Sequence, residues 1–136
     1  ADDARIALPP ARLGLGYHQS GVERLVRLIG PSAASEVFFT ARQYTAAEAL
    51  DIGLVNRVVP KSELETFTAA YAGAMAANAP LTLRAAKRAI AESLRPPAER
   101  DPAAVAAMIA RCFESEDYAE GVRAFLEKRR PRFQGR

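Results

Sequence analysis

The stretch TARQYTAAEALDIGLVNRVV, residues 40–59, decides how the rest of the chain is read. Thr45 and Glu48 have the spacing of a capping box, in which a hydroxyl and a carboxylate each satisfy a free backbone N–H at a helix start. The spacing predicts a helix beginning here. Gly53 is suited to the left-handed conformation that ends one. Beyond it, Leu54-Val55 and Val58-Val59 have the β-branched, apolar composition of a short buried strand or extended segment. The predicted order is strand, short helix, strand.

Toward the N-terminus, residues 1–17 lack helical periodicity, and Pro9-Pro10 excludes a regular helix through that point while leaving room for a short strand at Arg5–Leu8. Gly14 and Gly16 make a permissive backbone, read as a turn; the third glycine and the long preceding strand of a nucleotide fingerprint are absent. Ser20 and Glu23 repeat the capping-box spacing, followed by Val22, Leu25, Val26 and Ile29 on one helical face. Gly30 reads as a stop, and Pro31 as the restart of a helix through Glu36, Val37 and Phe38.

Toward the C-terminus, Ser62 and Glu65 give a third capping box. Leu64, Phe67, Tyr71, Ala74 and Met75 recur at helical spacing until Asn78-Ala79-Pro80. Leu83, Ala86, Ile90 and Leu94 mark the next helix, which Pro96-Pro97 terminates. Asp101 caps a helix opened by Pro102 and carrying Val105, Met108, Ile109, Cys112 and Phe113. Asp117 and Glu120 begin the last one, with Tyr118, Val122 and Phe125 turned inward. Four amphipathic helices in this span present more apolar surface than a small bundle needs inside, so part of it is expected to meet another chain.

A chain of 136 residues with 49% apolar and 26% charged residues fits one small, ordinary soluble globular domain. No apolar run approaches the roughly 18 residues of a membrane helix, and the start has no signal pattern. A single Cys112 and a single His18 leave no basis for an internal disulfide or a His/Cys zinc site, and a reducing cytoplasm is the expected home. The formal charge of +3 is uneven: Arg123, Lys128, Arg129, Arg130, Arg132 and Arg136 against Glu127 put +5 in the last fourteen residues and −2 over the rest. Such a cluster suits cofactor phosphates, nucleic acid or solvent. Without aromatic interleaving or a recognised module, nucleic acid is the least favoured of these.

The residue 40–59 wording closely resembles the "T-G-x-x-x-x-A-x-E-A-x-x-x-G-L-V-x-x-V" signature of the enoyl-CoA hydratase/isomerase family, the crotonases. Leu8-Pro9, Leu13-Gly14 and Gly21-Val22-Glu23-Arg24-Leu25 resemble the segment before that signature, and residues 124–133 (AFLEKRRPRF) its C-terminal ending. The resemblance covers nearly the whole chain and implies the α/β crotonase fold, its C-terminal part only and predominantly helical here. Residues 1–60 would close the core and 61–136 form a helical oligomerisation region, assembling a homo-trimer or hexamer. It implies a coenzyme A thioester substrate, no prosthetic group and no metal.

In that family two backbone N–H groups stabilise the enolate-like thioester oxygen and two glutamates move the proton and the water. Both amides and one glutamate lie upstream of where this chain starts. The expectation is therefore the C-terminal half of a longer protein, with these residues alone inactive and no catalytic residue assigned. The second glutamate belongs to a "P-E-x-x-L-G" segment that matches residues 9–14, where Pro10 takes its place. Proline moves no proton, so the two-glutamate mechanism is in question, and isomerisation, decarboxylation, thioester hydrolysis or a non-catalytic subunit are the alternatives.

His18, in the loop that lines the family's acyl pocket, is a candidate proton-transfer group only, since a lone histidine in a polar turn is more often a solvated loop residue. Glu23 reads as the cap partner of Ser20, and Cys112 as a small core residue. Phe125 and Lys128 match the positions of an aromatic near the adenine and a lysine near the phosphates of coenzyme A. At helical spacing they would share a face. Their alternative is a core aromatic and a solvated lysine.

Overall fold

In the computed structural model, which describes residues 1–136, Thr45 does what its spacing predicts. Its N–H donates to Glu48 Oε2 at 2.7 Å, and the Glu48 N–H donates back to Thr45 Oγ1 at 3.2 Å. This box opens helix α3, Ala46–Asp51. Gly53 has φ +77°, and the Leu54 N–H donates to the Ala49 carbonyl at 2.8 Å, closing the helix end. The preceding pair Tyr44–Thr45 is strand β2, antiparallel to strand β1, Arg5–Ile6, with Arg5 opposite Thr45 and Ile6 opposite Tyr44. No strand follows Gly53. Residues 54–59 form an irregular segment with bends at Leu54 and Asn56, fastened where the Asp2 N–H donates to the Val59 carbonyl at 2.9 Å and the Lys61 N–H to Asp2 Oδ1 at 3.0 Å.

The chain divides into two compact units, Ala1–Thr68 and Ala69–Arg136. In the first, helix α1, Pro10–Leu13, starts with Pro10 in its first turn, where the missing N–H costs nothing, and ends on Gly14 at φ +65°. Helix α2, Gln19–Thr40, is two helical runs joined at Gly30, whose φ +77° and ψ 165° break the helix where the sequence predicts a stop and a restart at Pro31. Leu25, Ala34, Val37 and Tyr44 are buried together, with Leu8, Val26, Ile29, Phe38, Ile52 and Leu54 packed against them. Burying each large aliphatic side chain stabilises the unit by about 1.5–3 kcal/mol.

Two predicted capping boxes do not form. His18, not Ser20, is the N-cap residue of α2, with no side-chain cap bond, and Glu23 accepts from Gln19 Nε2 at 3.4 Å. Lys61–Glu63 form a 3₁₀ turn that runs directly into helix α4, Leu64–Ala76, so Ser62 lies inside the turn and caps nothing. In both places local geometry one turn earlier supplies the helix start, and the pair spacing alone does not distinguish the two. Helix α4 buries none of its residues, including those of its apolar series.

In the second unit, helix α5, Pro80–Ser93, packs along helix α6, Pro102–Phe113. Asp101 caps α6 by accepting the Ala104 N–H at 2.9 Å. Glu92, 6% exposed, accepts the Asp101 N–H at 2.8 Å and pairs with Arg88 and Arg95, binding the end of one helix to the start of the next. Helix α7, Glu116–Leu126, is capped by Ser115, whose Oγ accepts the Tyr118 N–H at 3.1 Å. Asp117 and Glu120, expected to begin this helix, instead hold the C-terminal tail. Asp117 accepts the N–H groups of Gln134 and Gly135 at 2.6 and 2.7 Å; Glu120 accepts the Arg132 N–H and pairs with Arg123 and Arg129. Tyr118, Val122 and Phe125 are exposed rather than inward, Phe125 at 83%.

Two of these carboxylates, Glu48 and Glu120, are held well into their charged form. The Thr45 backbone N–H, then Arg42, lower Glu48 from 4.5 to about 2, and Arg129 followed by the Arg132 N–H lower Glu120 equally. A depressed folded-state value means stability that is full above the usual 4.5 and is lost as pH falls toward about 2. Melting temperature should therefore drop through that window, and a Glu48→Gln/Glu120→Gln double variant should be less stable at neutral pH yet show a flatter acid limb. An acid limb as steep as the parent's would contradict these assignments.

Candidate functional site

A cleft of about 590 Å3 opens in the first unit beside the start of α2. Leu8, Leu13 and Leu15 supply apolar wall, and Pro10, Tyr17 and His18 line it with them. The local sequence explains the concavity: α1 is a single turn that ends on left-handed Gly14, and residues 14–18 run without secondary structure to α2. Pro10 is buried. At this position the wall is a pyrrolidine ring with no ionisable group. His18 gives its backbone carbonyl to the Gly21 and Val22 N–H groups at 2.9 and 3.2 Å, and its imidazole is exposed. Pro10 and His18, singled out separately in the sequence, thus border one cleft.

Tyr17, the residue before His18, has a contact of its own in the structure. Its ring lies 5.2 Å from that of Phe38, tilted by 58°, and rests on the bare Cα face of Gly21. The one sequence signal for this contact is a glycine inside the first turn of a helix, where glycine is a poor choice unless something approaches closely.

In the second unit an apolar groove of about 660 Å3 includes Leu81, Ala85, Ile109, Tyr118, Phe125 and Phe133. Cys112, expected in the core, is half-buried on this groove, its Sγ donating to the Met108 carbonyl at 3.3 Å. Phe125 borders the groove; Lys128 does not. The shared helical face predicted for the two is corrected, because α7 ends at Leu126 and Lys128 has φ +53° beyond it. They remain backbone neighbours through the Lys128 N–H, which donates to the Phe125 carbonyl at 3.2 Å.

The basic tail is also less of a field than its composition suggests. Arg123 and Arg129 pair with Glu120, Arg129 also with Glu127, and Arg136 with Glu116, leaving Lys128, Arg130 and Arg132 without a carboxylate partner. No group of three or more His, Cys, Asp or Glu side chains is placed to hold a metal ion. No helix is long and apolar enough to cross a membrane.

The strand pair, the boxed helix behind it and the succession of helices beyond define a partial crotonase fold. Sequence and structure comparison agree. The family model described as enoyl-CoA hydratase/isomerase matches residues 1–136. The chain is 36% identical over 133 residues to crotonyl-CoA hydratase of Syntrophomonas wolfei, covering 98% of this chain and 51% of that protein. It is 36% identical over 141 residues to methylmalonyl-CoA decarboxylase of Escherichia coli, covering 99% and 52%. The crystal structure of enoyl-CoA hydratase from Bacillus anthracis superposes with a TM-score of 0.83 at 34% identity, covering 99% of this chain and 52% of that one. The chain belongs to the enoyl-CoA hydratase/isomerase family, and it spans about half the length of the curated relatives it matches.

Proposed function

We propose that the protein acts on a coenzyme A thioester through an oxyanion-stabilised enolate, and that the cleft beside α2 receives the acyl part. The observation that carries this reading is the cleft itself: a mainly apolar concavity, formed by the segment that resembles the family's acyl loop, with His18 at its edge. The relatives' names support the substrate class, since each is a hydratase, dehydratase or decarboxylase of a CoA thioester. Enolate chemistry is common ground for such reactions, because a negative charge developing on the thioester oxygen needs fixed donors whichever bond then changes.

Pro10 bears on which reaction follows. A hydratase using two glutamates needs a carboxylate where this wall has a pyrrolidine ring, so hydration in this protein requires another proton carrier, for which His18 is the candidate on this chain. Reactions with a lesser demand for that second carboxylate, decarboxylation among them, suit the wall as it stands. The same residue favours a second reading, a non-catalytic or partner-dependent member of the family.

For the cofactor portion, we assign Phe125 to the adenine and Lys128 to the phosphates of coenzyme A. The exposure of Phe125 and the absence of an ion pair at Lys128 leave both side chains accessible. We also assign the exposed apolar faces of the second unit to assembly of a homo-trimer or hexamer, in the cytoplasm, with no nucleic-acid partner and no prosthetic group.

Calorimetric titration of the full chain with crotonyl-CoA, beside a hydratase assay, tests the reading. Saturable binding is expected, weakened roughly tenfold by Lys128→Ala if a charge-assisted phosphate contact is lost. Absence of binding to any acyl-CoA would sink it. Binding without turnover by the whole protein that contains this chain, alone and with candidate partner chains, would favour the non-catalytic reading.

A further inference from the structure

We propose that Tyr17, seated in a notch left open by Gly21, is the residue that sets how long an acyl group the cleft admits. The inference rests on the reading that the cleft receives the acyl part of a coenzyme A thioester.

The geometry is specific. A Cβ built on Gly21 would lie 2.7 Å from Tyr17 Cε1 and 3.1 Å from Cδ1, closer than nonbonded carbons approach, so the ring occupies the volume any other residue would fill. On another side the ring meets Phe38 at 5.2 Å between centroids. Phe38 does not line the cleft, whereas Tyr17 and Gly21 both do. The aromatic ring, on a residue 47% exposed, therefore has two contacts that position it in the cleft wall, a glycine and a phenylalanine. Tilted aromatic pairs of this kind gain about 0.5–1.5 kcal/mol beyond their buried area, enough to favour one ring position. The other apolar wall residues, Leu8, Leu13 and Leu15, belong to the chain after β1, to α1 and to the loop, and Leu8 packs against the core of the unit.

Gly21 offers an unusually clean way to move this ring. It lies in the first turn of α2 and has ordinary helical backbone, so alanine is favoured there by propensity and the only obstacle is the tip of Tyr17. The ring of a Gly21→Ala variant has to leave this seat, and because it lines the cleft, its displacement inward narrows it. Tyr17→Ala does the reverse and opens it, while Tyr17→Phe keeps the wall and removes only the hydroxyl.

The experiment is calorimetric binding of saturated acyl-CoA thioesters of short, medium and long chain to the full chain and these three variants, with thermal melts to confirm folding. Tyr17→Ala should shift the ratio of long- to short-chain affinity upward by about tenfold, the scale of one or two methylenes in a pocket. Gly21→Ala should shift it downward, and Tyr17→Phe should leave it unchanged. Length profiles that stay the same in both Tyr17→Ala and Gly21→Ala, with acyl-CoA still bound, would overturn the inference while leaving the proposed function standing. Should Tyr17→Ala fail to fold, the Gly21→Ala profile decides alone. No binding of any chain length by the parent would overturn both.

Discussion

Replacing Asp117 by Ala is expected to destabilise the second unit by about 2–3 kcal/mol, since a buried carboxylate that accepts two backbone N–H groups leaves both without a partner when removed. Asp117 is 3% exposed, and its oxygens take the Gln134 and Gly135 N–H groups at 2.6 and 2.7 Å. Its own N–H donates to the Arg136 carbonyl at 3.1 Å, so the tail is held to the start of α7 by three bonds around one residue. Phe133, between these anchors and Glu120, would lose its position against Gly121. Urea unfolding should show the loss, and trypsin should cut more readily after Arg129 and Arg132 in the folded variant. Asp117→Asn keeps one acceptor oxygen and should fall between parent and alanine variant. A tail as protected in Asp117→Ala as in the parent would refute the latch.

Gly30→Ala is expected to cost about 1–3 kcal/mol, for a different reason. At φ +77° and ψ 165° the residue occupies a region that is essentially glycine's alone, and it does so between the two runs of α2. No atom lies within 4 Å of a Cβ built there, so the penalty is carried by the backbone and not by crowding. Gly73→Ala is the control: it lies inside α4, again with open space around a Cβ, and alanine there should raise stability by up to about 1 kcal/mol. Thermal or urea denaturation of the two variants should thus move in opposite directions. A Gly30→Ala protein as stable as its parent would mean that the kink is not held in solution.

How much of this was legible in advance varied with how local the cause was. The Thr45–Glu48 box, the Asp101 cap and the break at Gly30-Pro31 each follow from side chains acting on backbone within one turn, and each is found in the structure. Ser20–Glu23 and Ser62–Glu65 carry the same spacing without the bonds, because a residue two positions upstream, His18 or Pro60, already begins the helix or turn. For Asp117 and Glu120 a first-turn position on a helix was the natural reading. Their actual partners lie up to eighteen residues downstream, which no short-range pattern encodes. The ion pairs of the basic tail were hidden for the same reason, since Arg129 and Arg136 meet Glu120 and Glu116 only once the chain turns back.

For the candidate site the sequence supplied Pro10 and His18 and the resemblance that relates them to an acyl pocket; it also supplied Phe125 and Lys128. That Pro10 and His18 border one cleft, that Tyr17 rests on Gly21, and that Lys128 lies past the end of its helix are matters of tertiary structure. By itself, then, the sequence determined the family, much of the helical punctuation and the presence of a proline, with no ionisable group, at position 10. These depend on residue identity and on bonds that span a turn. The folded chain decided which charges cancel, which ring fills which gap and which side chains share a cavity, because those depend on distances between residues that only packing brings together.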